Sequence, residues 1–290
     1  MSSRAAAKAV ILHLRLPFFI FLAPIYLFAI ASVRVDPLRA WAVFGIFHFL
    51  LYPASNGFNS YFDRDEGPIG GLDSPPPVTR GLLVLALVLD AAALLAAALL
   101  GPIAAVAVLC YGTSSKLYSW DRTRLKARPY TSWLMVGLGQ GGFSFLAMAA
   151  ASSAEGLRGL GPAAWLCAPL QALFLLGVFP LTQVYQHEED AKRGDLTISR
   201  VLGVRGTFLL SGAFLGLAGA GISAWLFAFA SPAWAAGFLA SESATAFYFL
   251  RWARRCYNDP AAADFRSAMA MNAIAAGSLN LFLVAFLAFR

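Results

Sequence analysis

Unbroken apolar stretches of about 20 residues, set apart by Pro, Gly and charge, run the length of the chain. They fall near residues 14–32, 41–57, 81–99, 102–118, 132–151, 162–185, 207–229, 232–250 and 267–289, with one fused pair meeting at Gly101-Pro102. A hydrocarbon core of about 30 Å needs roughly 20 apolar residues per helix, so the pattern predicts an all-α polytopic membrane protein with about nine transmembrane helices. Membrane-spanning strands are excluded, because a barrel needs alternating segments of about ten residues.

Composition agrees with this reading. Of 290 residues, 59% are hydrophobic and 13% charged, which leaves more apolar surface than a soluble domain of this length can bury. The net charge of +7 invites a nucleic-acid reading until the basic residues are placed. Eighteen of the 22 Lys and Arg lie in the N-terminal stretch and in every second loop, and only Arg34, Arg39, Arg158 and Arg290 lie opposite. Basic residues beside apolar spans set orientation. Membrane lipid is therefore the expected partner and nucleic acid is not. The expected location is an inner or cytoplasmic membrane, with the N-terminus cytoplasmic and the C-terminus outside. Cys110, Cys167 and Cys256 form no paired motif and read as structural. Arg15 interrupts the first apolar run, which reads as an uncleaved span.

The acidic residues are distributed differently. Asp90 and Glu242 fall inside apolar runs, where an ionisable group is a functional candidate by default. Two clusters stand apart: NGFNSYFDRDEGPIGG closes the second run and VYQHEEDAKRGDLTIS the sixth, both on the basic side. Asn59 and Asp63 are four residues apart, as are Gln186 and Asp190, so each pair shares a helical face. Hard oxygen ligands of this kind suit Mg²⁺, which is held by one or two carboxylates plus substrate phosphates. One such cluster alone reads as solvated loop acids. Two matching clusters on one side point instead to a single domain, 1–290, of two pseudo-equivalent halves, about 10–130 and 131–290, meeting over one cavity.

At these residues the chain resembles the UbiA superfamily of intramembrane prenyltransferases. Asn59 and Asp63 match the first positions of that family's motif after the second helix, and Asp190, Gly194 and Thr197 the later positions of the motif after the sixth. Arg15-Leu16-Pro17 with Pro24 is similar to the opening helix of the family, and Tyr118-Ser119 with Arg124-Leu125-Lys126 to the loop after its fourth helix. Gly67 stands where the first motif has its third acid, and Gln186 where the second has its leading Asp. Asp65 and Glu66, with Glu188 and Glu189, are candidates to compensate.

The resemblance implies a UbiA-like bundle around a central cavity open to the cytoplasmic side. It implies Mg²⁺-dependent transfer of an isoprenyl group from an allylic diphosphate to an aromatic or lipid-like hydrophobic acceptor. Asp63 and Asp190 would be the catalytic carboxylates. Asn59, Lys116, Tyr118, Arg124, Lys126 and His187 would bind substrate. If the helix continued past Asp63, Glu66 would share its face, giving a metal set of Asn59, Asp63, Glu66, Gln186 and Asp190. Candidate aromatic wall residues are Tyr52, Phe58, Phe62, Phe143, Phe145 and Tyr185. Two other classes fit parts of the pattern: a catalytically silent isoprenoid-binding or lipid-binding relative, and a secondary transporter, whose site belongs nearer the bilayer midplane.

The charge distribution makes the orientation testable. With single cysteines introduced by Arg158→Cys and Arg122→Cys in a background lacking the three native ones, an impermeant thiol reagent on intact cells should label the first variant and spare the second.

Overall fold

The computed structural model describes residues 3–290. Among them there is no strand, only isolated bridges between Val35 and Ser153 and between Ile69 and Leu72. The helices are α1 (Ser3–Leu14), α2 (Phe19–Ala31), α3 (Pro37–Gly45), α4 (Tyr52–Asp63), α5 (Arg80–Leu100), α6 (Pro102–Ser119) and α7 (Pro129–Leu134). They continue with α8 (Ser144–Ser152), α9 (Pro162–Gln183), α10 (His187–Arg193), α11 (Ile198–Phe229), α12 (Pro232–Ser241), α13 (Ser243–Asn258) and α14 (Phe265–Phe289).

Local chemistry sets these boundaries. Proline opens α3, α6, α7, α9 and α12, at the helical position where its missing N–H costs nothing. Asp36 and Asp264 accept the backbone N–H of Arg39 and Ser267 at 3.0 and 2.7 Å, capping α3 and α14. Gly101, with φ 140°, separates α5 from α6 in a conformation suited to glycine.

Two helices are widened midway. α3 runs into α4 through a π-helical segment, Ile46–Leu51. Pro53 follows, and its ring crowds the carbonyl four residues back, which the wider turn accommodates. α7 likewise runs into α8 through the glycine-rich π segment Met135–Phe143, and the Ser144 hydroxyl donates to the Gly139 carbonyl at 2.9 Å. This segment packs closely on α9.

Helices succeed one another around a ring. α4 packs on α5, α5 on α6, α6 on α8, and α9 on both the widened segment and α11. α2 packs on α14 and closes the circle, with Asn280 Nδ2 donating to the Ile20 carbonyl at 2.8 Å.

Among the described residues six helices, not nine, are long and apolar enough to cross a membrane: Arg4–Ala31, Arg80–Leu100, Pro129–Ser152, Pro162–Gln183, Ile198–Phe229 and Phe265–Phe289. The expected spans at 41–57, 102–118 and 232–250 are helical but more polar or interrupted. The first leads into Asn56, Asn59 and Asp63; the second carries Ser114, Ser115 and Lys116. The third breaks at Glu242, between α12 and α13. Polar side chains turned towards other helices lower the hydropathy on which a span count rests.

The close approach of the widened segment to α9 gives a stability test. A Cβ at Gly141 would lie 2.6 Å from the Gln171 carbonyl oxygen, whereas one at Gly139 meets nothing within 4 Å. Gly141→Ala should cost about 1–3 kcal/mol, read as a lower thermal midpoint in detergent. Gly139→Ala should be neutral or slightly stabilising.

Candidate active site

The first acidic segment is shaped by where α4 stops. Arg64 turns left-handed at φ 50° and its N–H bonds to the Ser60 carbonyl at 3.0 Å, so the helix ends at Asp63. Beyond it, Ile69 and Leu72 exchange backbone bonds of 2.9 and 2.8 Å. Arg15, itself left-handed, reaches the carbonyls of Gly70 and Asn56 at 3.5 and 3.4 Å and ties this loop to the start of the bundle. The second segment is the two-turn α10, entered at Gln186 and left through Gly194 at φ 74°. Thr197 Oγ1 donates to Asp190 Oδ2 at 3.3 Å.

The two segments meet. Asn59, Asp63, Asp65, Gln186, Asp190 and Asp195 all line one cavity of about 1220 Å³. Asn59 Nδ2 donates to Asp63 Oδ2 at 2.7 Å and to Ser119 Oγ at 3.1 Å. Lys126 Nζ lies 2.5 Å from Asp63 Oδ1 and 3.4 Å from Asp195 Oδ2, a cation between carboxylates contributed by the two acidic segments. Burial pushes the Asp190 carboxyl up to about 6, with Asp195 and Asp65 adding repulsion and Lys126 and Thr197 opposing. Burial and Asp63 likewise raise Asp65, whose Oδ1 receives Arg193 Nη1 at 2.8 Å. Away from the two acidic segments the cavity wall is largely apolar, with Phe18, Phe21, Phe143, Phe174 and Phe179 among its residues, and carries a further polar patch at Glu242, Thr245 and Asn272.

Of the residues singled out from sequence, Asn59, Asp63, Tyr118, Lys126, Gln186 and Asp190 line this cavity. Gln186 Nε2 donates to the Pro68 carbonyl at 3.3 Å and so joins the two acidic loops. Four do not line it. Glu66 is exposed, because the helical face expected for it ends at Arg64; Asp65 faces the cavity instead. Lys116 is taken up by Asp90 at 2.5 Å and lies over the Phe58 ring at 5.2 Å, which also accounts for an acid inside an apolar run. Arg124 is gripped by Asp195 through Nε at 2.7 Å and Nη2 at 2.9 Å. His187 Nε2 stands 2.7 Å from Ser199 Oγ, and burial together with Arg200 keeps its pKa below the usual value. Of the expected wall aromatics, Phe143 and Tyr185 line the cavity and Tyr52, Phe58, Phe62 and Phe145 pack elsewhere. The sequence reading assigned no role to Asp195. Its signal was its position, an acid directly after the left-handed Gly194.

Among the described residues no three of His, Cys, Asp and Glu converge closely enough to hold a metal by themselves. The donor set is nonetheless one of hard oxygens, in a pocket whose crowded carboxylates favour a bound cation. That arrangement fits Mg²⁺ completed by water and phosphate oxygens.

A helical membrane bundle whose carboxylate-lined cavity also holds a lysine defines the class of protein. The UbiA prenyltransferase family model matches residues 16–275, and the chain belongs to that family. No curated protein sequence matches it. Its fold is similar to a UbiA homolog from Archaeoglobus fulgidus bound to DMAPP and Mg²⁺, at TM-score 0.67 and 16% identity over 96% of this chain and 98% of that one. It is also similar to a UbiA homolog from Aeropyrum pernix K1, at TM-score 0.64 and 18% identity over 92% and 97%. A digeranylgeranylglyceryl phosphate synthase shares the fold at TM-score 0.60 and 16% identity over 97% of each chain.

The reassignment of Lys116 can be tested by stability. Breaking an ion pair of which both members are largely buried leaves an unpaired charge, whereas removing both members is far better tolerated. Lys116→Met should lower the thermal midpoint in detergent, and Asp90→Asn added to it should recover much of the loss.

Proposed function

We propose that this protein transfers an isoprenyl group from an allylic diphosphate to an aromatic or lipid-like acceptor within the membrane, in a Mg²⁺-dependent reaction. The observation that carries the reading is the meeting of two carboxylate segments and Lys126 at one cavity whose remaining wall is largely apolar. Family membership and the Archaeoglobus fulgidus homolog bound to DMAPP and Mg²⁺ support it. The proposed orientation, in which the three more polar helical segments at 41–57, 102–118 and 232–250 cross as well, places the N-terminus in the cytoplasm, the C-terminus outside and the carboxylates at the cytoplasmic end.

Asp63 with Asn59, and Asp190 with Asp65 nearby, would hold the metal. Bound there, Mg²⁺ would neutralise charge developing on the departing diphosphate. Lys126 supplies a point charge to the phosphate oxygens and Tyr118 a hydrogen bond. As the allylic C–O bond breaks, the electron pair leaves with the diphosphate and positive charge spreads over the allylic carbons. The faces of Phe143 and other aromatic residues lining the cavity stabilise that charge and keep water from it. The acceptor then forms a bond to the same carbon and gives up a proton.

One observation favours a second reading, a silent binder of isoprenoid: Gly67 and Gln186 stand where the family motifs carry acids, and among the described residues no three His, Cys, Asp or Glu side chains converge. Incubating the purified protein with a panel of allylic diphosphates and acceptors, with and without Mg²⁺, separates the two. Metal-dependent release of diphosphate supports the enzyme, and binding without consumption supports the silent relative. Asp63→Asn and Asp190→Asn should each abolish turnover while leaving folded protein. Asp65→Asn should lower activity about tenfold or more through loss of transition-state charge stabilisation; Glu66→Gln should be mild.

A further inference from the structure

We propose that Asp195 is a positioning residue: it fixes the segment 124–126 so that the Lys126 ammonium faces the cavity, and thereby sets affinity for the diphosphate end of the substrate. The proposal rests on the function given above.

Asp195 is only 1% exposed, and both its oxygens are engaged. Oδ1 accepts Arg124 Nε at 2.7 Å; Oδ2 accepts Arg124 Nη2 at 2.9 Å and lies 3.4 Å from Lys126 Nζ. A carboxylate lining a cavity that receives a polyanion repels it. Asp195 therefore aids binding only through the cations it holds. The carboxylate is itself rigidly placed, following the left-handed Gly194. Its N–H bonds to the Asp190 carbonyl at 2.9 Å and its own carbonyl accepts Arg200 Nη1.

The clamp acts at a critical turn. Arg124 has φ 40° and ψ 52°, a left-handed conformation that side chains other than glycine adopt at a cost. Here the chain leaving α6 reverses into the single turn Leu125–Ala127, which delivers Lys126 to Asp63. Arg124 also pairs with the exposed Asp121 at 3.3 Å. Without Asp195 its guanidinium would turn outward towards Asp121, and the reversal that aims Lys126 inward would lose its anchor. The planar, two-pronged grip fixes direction as well as charge, which a point contact does not.

The test uses the full-length protein in detergent with dimethylallyl diphosphate and Mg²⁺, comparing Asp195→Asn, Arg124→Gln and the double variant by equilibrium binding, kinetics and thermal midpoint. Each single substitution should weaken binding and raise KM for the diphosphate about tenfold or more, with a much smaller change in kcat. The double variant should be no worse than the weaker single one, because the two side chains act as a unit. Asp195→Glu should recover part of the affinity, while Arg124→Lys, which lacks the fork, should recover little. A lower thermal midpoint with unchanged affinity of the folded protein overturns the proposal, as do additive losses in the double variant. Tighter binding by Asp195→Asn, the result if Asp195 only repels the substrate, overturns it too. Should Asp195→Asn fail to fold, Arg124→Gln carries the same expectation at a more exposed position. Wild-type protein that binds no allylic diphosphate overturns the functional reading and this proposal together, whereas wild-type binding that the substitutions leave unchanged overturns the proposal alone.

Discussion

The Lys126 ammonium between Asp63 and Asp195 is the interaction on which the rest of the site depends. Carboxylates gathered at the end of an apolar bundle repel one another across a medium that screens poorly. A cation has to stand among them for the two acidic segments to share a cavity. Asp63 ends α4 and Asp195 follows α10, while Lys126 comes from the loop between α6 and α7. A single ammonium therefore joins three stretches of chain that are far apart in sequence. The Asp190 carboxyl is pushed up to about 6 chiefly by its burial, with Lys126 opposing that rise and Asp195 and Asp65 adding to it.

Much of this was legible in the amino-acid pattern, because helices in a bilayer announce themselves by unbroken apolar runs and because Asn59 and Asp63, like Gln186 and Asp190, stand four residues apart. What was not legible depended on a few backbone angles. Glu66 shares a face with Asp63 only if the helix continues, and it stops because Arg64 is left-handed. An arginine gives no warning of that conformation, whereas Gly67, the residue that suggests a helix end, lies three positions too late. Lys116 and Lys126 belong to one basic stretch in sequence, but the first lies within α6 beside Asp90 and the second beyond a chain reversal. Membership of a loop could not distinguish them.

The span count failed for a related reason. Hydropathy records what a residue is, not which neighbour it meets, and the expected segments that fall short are those whose polar residues turn towards other helices. Asn59 faces Ser119 across the cavity edge, and Thr245 faces Ser278 at 3.0 Å between α13 and α14. Polar groups satisfied between helices lower the apparent apolarity of a segment while it remains part of the bundle.

The bond from Asn280 to the Ile20 carbonyl has a consequence for how the protein is made. Its partners are 260 residues apart in sequence, and they join α14 to α2, the contact that turns an arc of helices into a ring. During synthesis the early helices can pair with their successors, but the seam between α2 and α14 waits until α14 has emerged. Loop closure over such a distance is the slow part of assembly. Until it happens the cavity lacks the side that α14 supplies through Met271, Asn272, Ala275, Ala276 and Leu279.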